Sequence, residues 1–348
     1  MQTEKIGVLG AGSWGTTLAA LLAHKGFDVR LWVREPEVFD EIEKTGVNNA
    51  FLPGIKLPDN LKPCREFKEA LSGASIVLCA VPSHGVRGVF KAARPFISGD
   101  AVIVSATKGM EEGTGLTPAG ILKDTLKDAH YKGIVALSGP TFAKEVALKL
   151  PAAAAAASAS MEAATIVQKT FSTPYFRVYT NTDVIGCEIG GALKNVIAIA
   201  SGISDGLSLG HNARAALITR GLAEITRFGV QMGANPLTFS GLSGLGDLVL
   251  TCTGPLSRNY SVGVSIGQGG TIDEITKGMA GGCTPGRGCT PGMVAEGVKT
   301  SKAARALAAS IGVDMPITCA VYSVLYEGKG AKDAVFELMN RDLKGEPG

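Results

Sequence analysis

The feature that most constrains the fold is a change of rhythm after Asn181. Before it, short apolar runs alternate with segments of helical periodicity; from Asp183 onward only helical segments follow. The runs Lys5–Leu9, Val29–Val33, Ser75–Val81, Ala101–Ser105, Gly133–Leu137 and Phe176–Tyr179 are apolar on successive residues, as strands covered on both faces are. Gly15–Lys25, Glu35–Lys44, Gly85–Ala93 and Glu162–Phe171 read as helices between them. Such alternation predicts a parallel, doubly wound α/β sheet. Ala152–Ala157 is ambiguous because alanine favours helix, but the rhythm places a strand there. Asn48–Pro63, with three prolines, reads as a long loop. Beyond Asp183 the expected helices are Val184–Ile203, Asn212–Gln231, Val294–Ile311, Ile317–Tyr326 and Ala331–Met339, around a glycine-rich stretch, Gly241–Gly297. The expected division is 1–182 and an all-α part, 183–348, with ligands at the junction.

Composition narrows the function classes. Lys plus Arg number 34 and Asp plus Glu 31, a net charge of +3 with no basic tract, so neither nucleic acid nor an anionic membrane is an expected partner. No apolar run approaches the roughly 20 residues that span a bilayer, so no membrane insertion is expected. The chain enters an apolar strand at once, so no signal peptide is expected. Its 7 cysteines are scattered without a C-x-x-C pair and its 4 histidines are dispersed, which predicts no metal site and a reduced, cytoplasmic setting.

The first strand leads into Gly10-Ala-Gly12-Ser13-Trp14-Gly15, with a helix behind it. In that context G-x-G-x-x-G is a dinucleotide signature: Gly10 for the tight turn, Gly12 for close approach of a pyrophosphate, Gly15 for helix–strand packing. This makes the first part a Rossmann-type domain. The second strand ends in Arg34-Glu35; an acid there grips a ribose 2′-hydroxyl and an arginine favours a 2′-phosphate. Arg34 comes first, which leans toward NADP with NAD tolerated.

Lys194 stands among small residues, with Gly190, Gly191 and Ala198 on its helical face. A ligand could lie against that face, and a poorly solvated lysine has a lowered pKa suited to proton transfer. Lys108 follows the strand Ala101–Ser105, at the carboxyl edge where open α/β sheets bind ligands. Ser138-Gly139-Pro140-Thr141 ends a strand at the same edge. Asp247, between a glycine turn and an apolar run, needs a partner: a lysine, substrate hydroxyls, or the N-terminus of a helix. Ser257-Arg258-Asn259 offers a phosphate a bidentate guanidinium and two hydrogen-bonding side chains. Of the histidines only His84 lies near the expected cleft, as a loop residue by the cofactor.

Together these motifs resemble the bacterial-type NAD(P)-dependent glycerol-3-phosphate dehydrogenases. The resemblance rests on Gly10–Gly15, Ser138-Gly-Pro-Thr-Phe-Ala-Lys-Glu145, Gly190-Gly-Ala-Leu-Lys-Asn195, Asn212–Gly221, Gly241-Leu-Ser-Gly-Leu-Gly-Asp247 and Ser257-Arg-Asn259. It implies reversible reduction of dihydroxyacetone phosphate to sn-glycerol 3-phosphate for glycerophospholipid synthesis, and a homodimer formed through the helical domain. It implies that Lys194 transfers the proton, and that Lys108, Gly139, Thr141, Asp247, Ser257, Arg258 and Asn259 meet substrate. Ser13, Trp14, Arg34, Lys108, Ala143, Arg258, Val294 and Glu296 fall at its cofactor positions. The repeated Cys-Thr-Pro unit over Cys283–Pro291 lengthens the family's usual approach to Met293-Val-Ala-Glu296. Two alternatives remain open: a related dehydrogenase of a hydroxy acid or sugar acid, and a nucleotide sensor that binds the cofactor without turnover.

Overall fold

The computed structural model describes residues 4–275, 295–343, 345 and 346. The first half builds β1 (Lys5–Leu9), α1 (Ser13–His24), β2 (Asp28–Trp32), α2 (Pro36–Thr45), the hairpin β3 (Val47–Asn48) and β4 (Leu52–Lys56), and β5 (Leu61–Cys64). It continues with α3 (Phe67–Leu71), β6 (Ile76–Cys79), α4 (Val86–Ala93), β7 (Val102–Ser105), α5 (Pro118–Thr125) and β8 (Gly133–Ser138). Then come α6 (Ala143–Ala147), β9 (Ala152–Ala157), α7 (Met161–Phe171) and β10 (Phe176–Asn181). Eight strands form one sheet in the order β10-β9-β8-β7-β6-β1-β2-β5. Buried side chains cover both faces, Leu18, Leu22 and Val167 on one and Val86, Phe90 and Leu122 on the other. The apolar runs follow from that double coverage.

Two expectations are corrected. The sheet is not wholly parallel, since β9 runs antiparallel to β8. A parallel crossover takes a dozen or more residues, usually with a helix long enough to span the sheet. Here the five-residue α6 cannot do so, and the chain doubles back past Lys149 at φ 60°. The expected loop at Asn48–Pro63 contains the β3–β4 hairpin and the edge strand β5. Pro63 suits β5 because an edge strand need not donate on its outer side. The alanines of β9 serve close packing: Ala155 and Ala157 form a cluster with Ala136 and Cys187, letting the next helix approach the sheet.

That helix, α8 (Val184–Gly206), is the axis of the second half. The Asp183 side chain caps it by accepting from Gly186 N at 2.8 Å and also accepts from Asn235 N at 2.9 Å. By length and composition it could cross a bilayer, which the apolar-run reading did not anticipate. It holds Glu188 and Lys194, and 83% of its most apolar stretch is buried within the protein, as the core helix of a packed domain. Around it lie α9 (Gly210–Gln231), α10 (Asp247–Thr253), α11 (Arg258–Gly267) and the helices Glu296–Ser310, Pro316–Tyr326 and Ala331–Met339. The glycine-rich stretch is therefore partly helical. Its glycines let α11 lie against α8: a Cβ on Gly202 would sit 2.1 Å from the Tyr260 carbonyl oxygen, and one on Gly263 2.1 Å from that of Ile199. Val294 and the Cys283–Pro291 unit lie outside the described residues.

Candidate active site

The glycine turn is shaped before any ligand arrives. Gly10 adopts φ +113°, and a Cβ on Gly15 would fall 1.9 Å from the Gly10 carbonyl oxygen, so α1 packs there only with hydrogen at that position. A Cβ on Gly12 meets nothing within 4 Å; it points into open space at the first turn of α1. Free backbone N–H groups and the helix dipole favour an anion in that space, so the residues present fit a dinucleotide pyrophosphate. Asn48, fully buried, holds the turn. Its Nδ2 donates to the Ala11 carbonyl at 2.9 Å and to Thr16 Oγ1 at 2.8 Å, and its Oδ1 accepts from Phe51 N at 3.1 Å. Ser13 Oγ donates to the Phe51 carbonyl at 2.6 Å, joining turn and hairpin. Trp14 packs against Phe176 with ring centroids 6.3 Å apart. Ala143, at the start of α6, has its carbonyl oxygen 3.2 Å from Thr17 Oγ1 on α1. Arg34 donates from Nε and Nη2 to Glu35 Oε1 at 2.9 and 2.6 Å, with its side chain 74% exposed.

The lysines meet over one carboxylate. Lys108, beyond β7, donates from Nζ to Asp247 Oδ2 at 2.5 Å and to the Gly139 carbonyl at 3.0 Å. Lys194, midway along α8 and 7% exposed, donates to Asp247 Oδ1 at 2.6 Å and to Thr251 Oγ1 at 2.7 Å. Asp247 is 1% exposed. Its partner is thus a lysine from each half of the molecule; the capping reading is corrected, because Asp247 is the first residue inside α10, the N-cap is Gly246, and among the described residues no side chain caps that helix. One carboxylate between two ammoniums leaves a net positive charge where the halves meet. Burial pulls the Lys194 pKa from 10.5 to about 8; attraction to Asp247 opposes the fall and Lys108 deepens it. The lysine does not extend to water.

The turn before Asp247 is a single π turn, Leu242–Gly246, closed by Gly246 N donating to the Gly241 carbonyl at 3.1 Å. Ser243 Oγ donates to the Ser138 carbonyl at 3.2 Å, fixing this turn against the end of β8. The small-residue face of α8 needs correction as a ligand bed. Gly190 is covered by the turn, its Cβ position 2.4 Å from the Ser243 carbonyl oxygen, whereas a Cβ on Gly191 would lie 2.8 Å from Ser138 Oγ and 3.5 Å from Lys108 Cγ. Only the Gly191 edge borders the lysine pair. Ser138 Oγ there is buried with no hydrogen-bond partner among the described residues, and Thr141 Oγ1 donates to the Gly139 carbonyl at 3.2 Å.

The Ser257-Arg258-Asn259 group divides. Ser257 caps α11, its Oγ accepting from Tyr260 N at 3.2 Å. Asn259 donates from Nδ2 to Asn195 Oδ1 at 2.9 Å and accepts from Gly297 N at 2.9 Å, tying α8 to the helix Glu296–Ser310. Arg258 alone presents a side chain with no hydrogen bond to the described residues. Desolvation lowers its pKa while Glu296 opposes this; the residue is exposed by surface area, and an arginine stays charged throughout. Glu296 crosses the cleft, accepting from Ser83 N at 3.0 Å and from Ser83 Oγ at 2.5 Å. Burial raises its pKa, and the Ser83 bonds pull it back.

Four residues that shape or brace the site were not singled out by the sequence. Thr251 lies one turn beyond Asp247 on α10, a spacing that could have flagged it. Asn48 and Ser83 carried no local signal. Glu188 stood out only as an acid inside an apolar helix; both its oxygens accept from Ala119 N, at 2.9 and 3.1 Å, at the start of α5. Burial pushes its pKa up to about 7.

A Rossmann-type domain with an anion-ready glycine turn, joined to a helical domain through a buried lysine–carboxylate–lysine bridge, defines a two-domain nicotinamide-dependent dehydrogenase. The family models agree on which one. Residues 5–164 match the N-terminal domain of NAD-dependent glycerol-3-phosphate dehydrogenase and residues 183–336 match its C-terminal domain, so the chain belongs to that family. It is 55% identical to the glycerol-3-phosphate dehydrogenase [NAD(P)+] of Geobacter sp. strain M21 over 343 residues, 99% of each chain. The crystal structure of glycerol-3-phosphate dehydrogenase from Coxiella burnetii superposes with a TM-score of 0.90 at 40% identity, covering 97% of this chain and 99% of that one. The Saccharomyces cerevisiae enzyme superposes with a TM-score of 0.79 at 28% identity, covering 98% of this chain and 100% of its own.

Proposed function

We propose that the chain reversibly reduces dihydroxyacetone phosphate to sn-glycerol 3-phosphate with NADPH or NADH, Lys194 exchanging the proton. The observation that carries this reading is the Lys194 ammonium, buried between the two halves, 2.6 Å from Asp247 and with a pKa near 8. Residues 1–182 act as the dinucleotide domain and 183–348 as the substrate domain. Gly10, Gly12 and Gly15 with the first turn of α1 receive the pyrophosphate. Ser13, Trp14, Arg34, Ala143 and Glu296 complete the cofactor groove. The bound nicotinamide supplies the hydride.

On the protein side, Arg258 binds the substrate phosphate, with the Gly139–Thr141 backbone and the remaining Asn259 N–H beside it. Ser257 acts by capping the helix that presents Arg258. Lys108 and Asp247 hold Lys194 in place, and the positive cluster favours negative charge growing on the C2 oxygen. Lys194 then donates its proton to that oxygen; in the reverse direction the neutral amine accepts it. A pKa near 8 leaves both forms accessible close to neutrality, which is what proton transfer in both directions needs. Exclusion of water from the bridge strengthens each of these interactions. The product feeds glycerophospholipid synthesis in the cytoplasm, and the working unit is a homodimer through the helical domain.

The test compares oxidation of NADH and NADPH with dihydroxyacetone phosphate against oxidation with short 2- and 3-keto acids. Turnover with the phosphate substrate exceeding that with either keto acid supports the reading. Preferential keto-acid turnover would make it a hydroxy-acid dehydrogenase, and cofactor binding without oxidation of either substrate would make it a sensor.

A further inference from the structure

The lysine bridge does not account for all the positive charge along the cleft. A second group of basic side chains stands beyond the carboxyl ends of β2 and β6, which flank β1 in the sheet. Arg34 follows β2, exposed, its guanidinium engaged with the neighbouring Glu35. His84 lies exposed in the turn Ser83–Gly85 after β6. The third basic side chain, Lys299, comes from the helical domain. Glu296 and Lys299 are three apart in the first turn of their helix and so share a face. Glu296 is fastened to Ser83 by hydrogen bonds of 3.0 and 2.5 Å, which brings that face down beside His84.

Arg34 and Lys299 both act on His84. The His84 imidazole is held below its ordinary pKa by burial first, then by Lys299 and by Arg34, so it feels both charges. Lys299 forms no ion pair and no side-chain hydrogen bond with the described residues. The acid nearest along its own helix, Glu296, is already bonded to Ser83. Like charges gathered from separate elements repel, and an anion placed among them offsets that cost.

The glycine turn says which anion. With the pyrophosphate at the start of α1, the adenosine ribose extends to the end of β2, beside Arg34. There NADPH carries a phosphate and NADH only a hydroxyl. We propose that Lys299 reaches from the helical domain to share the 2′-phosphate of NADPH with Arg34, so that both domains set the choice of cofactor. Binding would exchange the Arg34–Glu35 pair for an Arg34–phosphate–Lys299 arrangement. The inference deepens the dehydrogenase reading and rests on it.

The experiment measures dissociation constants of NADPH, NADH and adenosine 2′,5′-bisphosphate by titration calorimetry, for the full chain and for K299A, K299E and K299R. Lys299 is half-buried on a helix, where alanine is well tolerated, and circular dichroism checks each fold. The expected result is about tenfold weaker binding of NADPH and the bisphosphate in K299A, and a larger loss in K299E. Binding by K299R should stay near wild type, with NADH within about twofold throughout. Equal losses for NADPH and NADH, or unchanged NADPH binding in K299E, would overturn the assignment. A wild-type chain that bound neither dinucleotide would instead contradict the dehydrogenase reading itself.

Discussion

Replacing Asp247 by asparagine removes one negative charge from between two lysines while keeping the shape of the side chain. The carboxylate oxygens lie 2.6 Å from Lys194 Nζ and 2.5 Å from Lys108 Nζ at 1% exposure. At an effective dielectric of about 20, Coulomb's law gives each contact about 6 kcal/mol, before the desolvation cost that cancels much of it. What survives is read as proton affinity: an opposite charge at contact distance typically supports the charged form by roughly 1–3 pKa units. Burial has already brought Lys194 to about 8, so losing Asp247 carries it further down. Lys108, no longer neutralised, pushes the same way. A general acid must be protonated, so reduction is lost as pH rises through the lysine's pKa. In D247N that loss begins at lower pH, and a drop of roughly 1–3 units lowers reduction near pH 7.5 about 3- to 200-fold. The assay is steady-state NADPH oxidation with dihydroxyacetone phosphate from about pH 5.5 to 9, with NADPH affinity as the control for folding. A D247N enzyme with the wild-type rate and an unchanged midpoint would refute the argument that Asp247 keeps the proton on Lys194.

Other expectations concern single side chains. Thr251→Val keeps the volume but removes the oxygen that accepts from Lys194; kcat should fall about tenfold with cofactor affinity unchanged, and a wild-type kcat would exclude Thr251 from positioning the lysine. Asn48→Ala should weaken both dinucleotides about tenfold and cost roughly 1–3 kcal/mol of stability, because buried groups lose their partners; unaltered affinity in titration calorimetry counts against its role in shaping the turn. Glu188 has its pKa raised from 4.5 to about 7, so the folded state holds a proton that the unfolded state has released. Stability contributed by that proton is present below about 4.5 and is lost as pH rises to about 7. Thermal melts should therefore show wild type losing stability relative to E188Q across that window, by at most about 3 kcal/mol; parallel pH dependences would contradict it.

Much of the architecture was legible in the sequence, because doubly covered strands must be apolar throughout and the residues of a glycine turn have narrow physical roles. Lys194 was legible for a related reason: a charge inside a run of small and apolar residues calls for a partner. The pairing was legible only as one of the alternatives open to Asp247. Asp247 lies 53 residues from Lys194 and 139 from Lys108, and no local pattern encodes contacts of that range. The antiparallel β9 escaped notice because polyalanine carries no direction, and the shortness of α6 shows only once its ends are known. Asn48 and Glu188 look like an ordinary loop amide and an ordinary helical acid; their work is capping and bracing backbone brought to them by tertiary packing. Asn259 shows the reverse, a residue whose motif suggests a ligand and whose amide is largely committed to the protein itself.

The most direct measurement is the pH dependence of kcat for dihydroxyacetone phosphate reduction in the wild type and in Lys194→Met, with NADPH affinity determined for both. The wild-type rate should fall above about pH 8, as the folded-state pKa of the lysine requires, and the variant should be slower by roughly 10²–10⁴-fold without that transition. NADPH affinity should be nearly intact in the variant. A variant that turns over at the wild-type rate, or keeps the same fall near pH 8, would contradict the claim that the buried ammonium delivers the proton.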